Sequence, residues 1–272
     1  MDFRPLHPDF GVEVLGFATQ HGGSSAEIAE LQAAYDRHSI LLFRGGGRIS
    51  HERHVEIASW FGPPSPVDNS GKGNFVSVLH NKDAAGSLQL PFHSDLTYTD
   101  EPIKAICLQA IELPRQPTST TYVSNFAAWK HLSPERQHAL EGLTLRHVHI
   151  SNVKEYDWPP FIADHKLKFT HPRNGRPLLL CTEHHATRIL ELEEAESRAL
   201  IDELFAHEYA PQRQYEHIWQ LDDLLMWDNL AVQHARREHS DIAGGARVLQ
   251  RVALCEITLQ ESIDRARAQQ AA

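Results

Sequence analysis

The chain has 272 residues, 41% hydrophobic and 23% charged, ordinary globular values at a length that buries a substantial core. Its formal charge of −10, with no run of Lys or Arg, argues against a nucleic-acid-binding surface but leaves the charge of any pocket open. No window approaches the ~18 apolar residues of a membrane span, and Met1–Leu6 lacks the apolar core of a signal peptide.

In chain order, Gly11–Ala18 alternates loosely as a first strand. Ser24-Ser25-Ala26-Glu27 reads as a capping box opening a helix to about Arg37, with Ile28, Leu31 and Ala34/Tyr35 on one face. Ile40–Phe43 is a short buried strand stopped by Gly45-Gly46-Gly47. Ser50 then caps a helix through Phe61, ended by Gly62-Pro63-Pro64. His51 and His54 share a face of that helix, lack a third ligand nearby, and read as exposed surface. Residues 63–92 are rich in Gly, Pro, Asn and Ser around one strand near Asn74–His80. Long irregular segments usually bind or cover ligands, so this one is expected to roof a pocket.

His-x-Asp occurs three times. On an extended strand the two side chains project from one face and can hold one divalent metal. A further imidazole completes a 2-His-1-carboxylate triad, which favours non-haem Fe(II) because it leaves coordination positions open. His7-Pro8-Asp9 sits in a Pro-rich segment, and His239-Ser240-Asp241 runs into Gly244-Gly245 as a turn. Only His93-Ser94-Asp95 lies in an extended region with a distant partner. That partner is His234, which follows the apolar strand Leu224–Trp227 and an Asp228-Asn229 turn. His93, Asp95 and His234 are the candidate ligands.

Strands follow at Lys104–Leu113 and Thr120–Ser124, then helical sequence near Ala127–Gly142, with Pro134 at a helix start. Leu143–Ile150 alternates as a strand and puts His147 and His149 on one face, where a structural or surface role is expected. Residues 151–170, with Trp158-Pro159-Pro160-Phe161, read as an irregular second wall of the pocket, and together with 63–92 as a lid. Asn174-Gly175 marks a hairpin into Leu178–Cys181, and His184-His185 reads as a solvated pair. Leu190–Tyr209 is the longest helix, acidic at its start. Strands near Gln214–Gln220, Asp222–Trp227 and Arg247–Leu259 complete one β-rich domain with helices packed outside. The tail from Glu261 reads as a surface helix or frayed end. Cys107, Cys181 and Cys255 lie far apart in apolar sequence, as buried free thiols of a cytoplasmic protein.

Five pieces in order resemble the taurine dioxygenase (TauD/TfdA-type) family of Fe(II)- and 2-oxoglutarate-dependent dioxygenases. They are Phe92–Tyr98, Glu112-Leu113-Pro114 with Thr120 beyond it, His171–Pro177, Trp227–His234, and Arg247-Val248-Leu249-Gln250-Arg251. The resemblance runs from about residue 11 to about residue 258 and implies a double-stranded β-helix (jelly-roll) core. It implies Fe(2+), 2-oxoglutarate as co-substrate and O2, with His93, Asp95 and His234 holding the metal. It also implies that 2-oxoglutarate chelates through its keto oxygen and adjacent carboxylate, and that its distal carboxylate meets Arg247 and Thr120. Related halogenases lack the carboxylate that Asp95 supplies, so hydroxylation is favoured. Taurine-specific relatives carry a histidine shortly after the Phe-Gly matching Phe61-Gly62. Pro63–Gly73 has none, which points to another small molecule.

Arg247, Leu249 and Arg251 share one face of a strand unless a β-bulge intervenes. A buried charge needs a counterion. Arg251 is therefore expected to meet a carboxylate or sulfonate of the substrate, or else a protein carboxylate, and Gln89 and Leu96 are assigned to substrate binding beside it. Two other readings stand at this point: a Zn-dependent hydrolase using the same three ligands, and a non-catalytic metal-binding jelly roll. A homo-oligomer is open.

Overall fold

Alternation along short apolar strands builds two facing sheets in the computed structural model, which describes residues 1–66, 74–83, 87–151, 158–237 and 244–271. The N-terminal half runs β1 (Asp2–Pro5), β2 (Val12–Leu15), α1 (Ser25–His38), β3 (Ile40–Phe43), α2 (His51–Ser59), β4 (Ser77–His80), β5 (Leu90–His93), β6 (Ala105–Glu112) and β7 (Ser119–Ser124). Then come α3 (Asn125–Lys130), α4 (Pro134–Leu140), β8 (Thr144–His149), β9 (Phe161–Lys166), β10 (Lys168–Thr170), β11 (Pro177–Leu179) and β12 (Ala186–Ile189). The chain ends with α5 (Glu194–Glu208), β13 (Tyr215–Ile218), β14 (Leu224–Asp228), β15 (Val232–Arg236), β16 (Val248–Leu254) and α6 (Leu259–Ala271).

The larger sheet has the order β1-β2-β3-β14-β6-β16-β4, and the smaller one β13-β7-β15-β5. Successive side chains of β14 go to opposite faces, as a strand requires. Leu224 and Met226 join Leu31, Tyr35 and Ile57 under the two N-terminal helices. Leu225 and Trp227 join Tyr122 and Val232 of the smaller sheet. The sandwich between the two sheets is therefore filled from both sides, and its sheet-rich architecture with outlying helices is the double-stranded β-helix, or jelly roll.

Local signals account for the edges. Ser24 and Glu27 form a reciprocal capping box at the start of α1. Ser50 and Ser133 cap α2 and α4. Asn174-Gly175 turns the β10–β11 hairpin, with Gly175 at φ +70°, a conformation that glycine adopts without steric cost. Cys107, Cys181 and Cys255 are buried free thiols.

Several expectations need correction. Helical sequence near 127–142 splits into α3 and α4, because Ser133-Pro134 starts a new helix. Residues 161–166 are not irregular: they pair with β8 as β9, and Phe161 is buried against Tyr98, Ile263 and Ala266. Of the two readings of the C-terminal tail the helix holds, and it packs on this cluster through Ile263 and Ala266. His54 is not surface; it is fully buried beneath α2, and burial pushes its pKa down to about 4. Of the two segments read as a lid, residues 67–73, 84–86 and 152–157 lie outside the described residues.

Candidate metal and co-substrate site

His93 and His234 are cross-strand partners in the register of β5 and β15, with ring centroids 4.2 Å apart. Side chains opposite one another on neighbouring strands are held at this range by the ladder itself. The Nδ1–H of His93 donates to the Pro91 carbonyl at 2.8 Å, because a carbonyl can only accept. That fixes the tautomer and leaves Nε2 with a free lone pair, the usual support of a metal-binding imidazole. Nε2 lies 3.3 Å from Asp95 Oδ1, and Nε2 of His234 lies 3.7 Å from the same oxygen. One ligand atom from each of the three residues falls within 4.8 Å of the others.

Asp95 is not on the strand that carries His93. β5 ends at His93, and Asp95 sits in the turn that follows. The side-chain amide of Asn229 clamps that turn. Its Oδ1 accepts from the Asp95 N–H at 2.9 Å, and its Nδ2 donates to the Asp95 carbonyl at 3.0 Å and to Ile103 at 2.8 Å. Leu96, next in the chain, is held at φ +60°, a strained position for a branched side chain, and its carbonyl accepts from Thr99 N and Oγ1. The carboxylate is thus placed by a pinned turn rather than by strand geometry.

The donor set suits a divalent cation. Burial alone would raise the Asp95 carboxyl, but the adjoining His93 ring and the charge of Arg251 outweigh it and hold it far below the ordinary range. Burial, then the neighbouring His93, pushes His234 down to about 3. One carboxylate and neutral nitrogen donors match an iron(II)-type site with open positions. His234 Nδ1 is buried without a hydrogen-bond partner among the described residues.

Arg251 donates from Nη2 to Asp95 Oδ2 at 2.8 Å. The register shift along β16 falls between Val248 and Leu249, where the partner jumps from Glu112 to Ala110, so the extra residue is Ile111 on β6. Pairing of β16 with β4 runs without a shift, and Arg251 stays on the face of Leu249 and Ala253, toward the inter-sheet cluster. The facing expectation holds, and the protein carboxylate that the sequence left open as the partner of Arg251 is Asp95.

Arg247 is 3% exposed, and its Nε has no hydrogen-bond partner among the described residues. No protein carboxylate pairs with it there. Burial, then nearby Arg236, lowers its pKa to about 10, so it is still charged at neutral pH. Such a cation demands an anion. Tyr122, whose ring lies 6.3 Å from that of His234, also has a buried hydroxyl without a partner, and Arg247 is among the charges that it feels. Thr120, two residues earlier on β7, accepts a hydrogen bond from Trp219 Nε1 at 3.0 Å. The unpartnered Arg247 and Tyr122 groups, with the Thr120 hydroxyl on the same strand as Tyr122, fit a carboxylate of a dicarboxylate.

Gln89 is exposed and donates to the Arg237 carbonyl, which ties the entry to β5 to the end of β15. Leu96 is partly buried against Tyr98 and Phe161. His184 and His185 are not a solvated pair. His185 is buried, and both rings lie near His93, at 5.8 and 6.3 Å between centroids. His7 bonds to the Gln212 carbonyl far from the triad, and residues 239–241 lie outside the described residues. Sequence reasoning missed the clamp role of Asn229 and the place of Tyr122. An Asn directly after the apolar strand was the only available signal for the first.

Residues 2–253 match the family model described as taurine catabolism dioxygenase TauD, TfdA family. The chain is 28% identical to the alpha-ketoglutarate-dependent 2,4-dichlorophenoxyacetate dioxygenase of Cupriavidus pinatubonensis, over 87% of this chain and 92% of that one. It is 25% identical to the alpha-ketoglutarate-dependent sulfate ester dioxygenase of Pseudomonas putida, over 93% of this chain and 89% of the relative. A crystal structure of a taurine dioxygenase from Burkholderia xenovorans superposes with a TM-score of 0.79 at 26% identity, covering 93% of this chain and 90% of that one. The chain belongs to the TauD/TfdA family, and is an Fe(II)- and 2-oxoglutarate-dependent dioxygenase.

Proposed function

We propose that His93, Asp95 and His234 hold Fe(II), that Arg247 and Thr120 take the distal carboxylate of 2-oxoglutarate, and that the enzyme hydroxylates a small anionic molecule. The observation that carries this reading is the buried, anion-less Arg247, whose charge reaches Tyr122 next to His234, together with two imidazoles and a carboxylate that converge on one point. A hydrolase that used the same ligands would have no use for that cation.

Iron with 2-oxoglutarate and O2 supplies the oxidising chemistry when bound; the chain supplies position and dryness. His93 presents Nε2 because Pro91 holds Nδ1. Arg251 takes Oδ2 of Asp95 and leaves Oδ1 turned to the imidazoles, so the carboxylate offers one oxygen. Arg247 fixes the co-substrate by charge, and a guanidinium can grip a carboxylate in a bidentate fork. Leu96, Tyr98 and Phe161 form an apolar wall that excludes water beside the metal.

Charge favours an anionic substrate. A dication, Asp95, Arg251 and Arg247 together carry three positive charges, against two negative on 2-oxoglutarate. The one left over suits a carboxylate or a sulfate ester, the groups that relatives named for 2,4-dichlorophenoxyacetate and sulfate esters act on. The whole chain is read as one domain, since its last strand β16 lies inside the sheet that β1 begins. No helix among the described residues is long and apolar enough to cross a membrane, and the three free thiols suit the reducing cytosol. Succinate release tests the reading. An aryloxyacetate or alkyl sulfate should stimulate it well above the neutral amide or alcohol of the same skeleton; equal stimulation by the neutral compounds would remove the anionic-substrate part.

A further inference from the structure

Three histidines without a task in the dioxygenase reading converge beside the triad. His149 ends β8, and His184 and His185 lie in the turn before β12. One nitrogen of each falls within 4.8 Å of the other two. The rings of His184 and His185 are 4.4 Å apart, and those of His149 and His185 5.7 Å.

The backbone and the packing hold this cluster in place. Val148 N–H donates to the His185 carbonyl at 2.9 Å, and His184 N–H to the Phe92 carbonyl at 3.1 Å. Tyr98 stacks on His149 at 4.4 Å and 17° between planes. None of the three forms an ion pair among the described residues. Buried His147 and His165 lie behind them as a separate ring pair 5.5 Å apart.

We propose that His149, His184 and His185 form a second metal site, for a borderline divalent ion such as Zn2+ or Cu2+, distinct from the iron triad. Imidazoles without a carboxylate suit Zn2+, Cu2+ or Ni2+ rather than Mg2+ or Ca2+. Zinc–nitrogen bonds of about 2.0–2.1 Å in tetrahedral geometry need the nitrogens to close to roughly 3.3 Å. His184 is exposed and free to swing in, while His185 is buried and stays. Solvent takes the fourth position. The ion would clamp the end of β8 to the turn before β12, and by binding only the folded chain it would raise the unfolding temperature.

The test is equilibrium dialysis of the metal-free protein against Zn2+ at neutral pH. Wild type should bind two equivalents, His184→Gln one, and His149→Phe, which keeps the stack on Tyr98, also one. His234→Ala should lose the triad equivalent and keep the other, with a zinc-dependent rise in unfolding temperature that is absent from the double variant His184→Gln/His234→Ala. If His184→Gln and His149→Phe both bind as many equivalents as wild type, the second site does not exist. If wild type binds one equivalent and His184→Gln none, the second site stands and the zinc occupancy of the triad fails instead.

Discussion

The guanidinium of Arg251 holds one oxygen of Asp95 at 2.8 Å while the other oxygen faces the imidazoles of His93 and His234 at 3.3 and 3.7 Å. In the proposed iron site Arg251 would act on the metal through Asp95. Arg251→Gln should weaken Fe(II) or Mn(II) affinity by about 10–100-fold, the range for lost partners of a metal ligand. Metal titration of wild type and variant checks this, and an unchanged metal affinity with weakened substrate binding would return Arg251 to the substrate.

Arg247 should behave differently. Arg247→Gln removes the buried cation, and 2-oxoglutarate affinity should fall by at least roughly 30-fold, as for truncation of one partner of a buried charge pair. Metal affinity should stay within a few-fold of wild type. Calorimetric titration of 2-oxoglutarate into the Mn(II) form separates the two arginines.

His93→Ala and His234→Ala should each abolish iron-dependent turnover of 2-oxoglutarate and leave the circular dichroism spectrum intact. His7→Ala and His239→Ala should be nearly silent. Loss of activity in His239→Ala with retention in His93→Ala would mean that another His-x-Asp holds the metal.

Asn229→Ala should cut the three hydrogen bonds that pin the Asp95 turn and Ile103. Leaving buried backbone groups unpaired costs about 1–3 kcal/mol each. A fall in denaturation midpoint together with weaker metal binding is expected. Lower stability with unchanged metal affinity would show that the turn keeps its shape unaided.

His54 sets a pH dependence. Its folded pKa of about 4 lies below the ordinary histidine value, so the unfolded chain binds the extra proton between about pH 6.5 and 4. Its contribution is full above that window and is lost as pH falls through it. The slope is at most about 1.4 kcal/mol per pH unit. Urea unfolding of His54→Leu across pH 4–7 should show a shallower slope than wild type.

The family and the fold were legible because strand alternation and the five motif pieces survive in the linear order. Leu224–Trp227 and Ile40–Phe43 read directly as buried strands, and they are neighbours in the large sheet. Cross-strand register was not legible. Nothing in the spacing of His93 and His234 states that they face each other, and nothing local shows that Asp95 leaves the strand for a turn held by Asn229, far along the chain. The pairing of Arg251 with Asp95 failed to emerge for the same reason, since a counterion is chosen by tertiary placement. His184 and His185 read as solvated because a loop sequence does not record which strand it packs against.

The most direct test of the central claim is succinate release from 2-oxoglutarate by the metal-free protein reconstituted anaerobically and then exposed to O2, with an aryloxyacetate and an alkyl sulfate each tried as substrate. Fe(II) should support turnover with one or both, Zn2+ should not, and His234→Ala should be inactive with either metal. Succinate release that persists in His234→Ala, or zinc-supported hydrolysis of either compound without consumption of 2-oxoglutarate, would contradict the account.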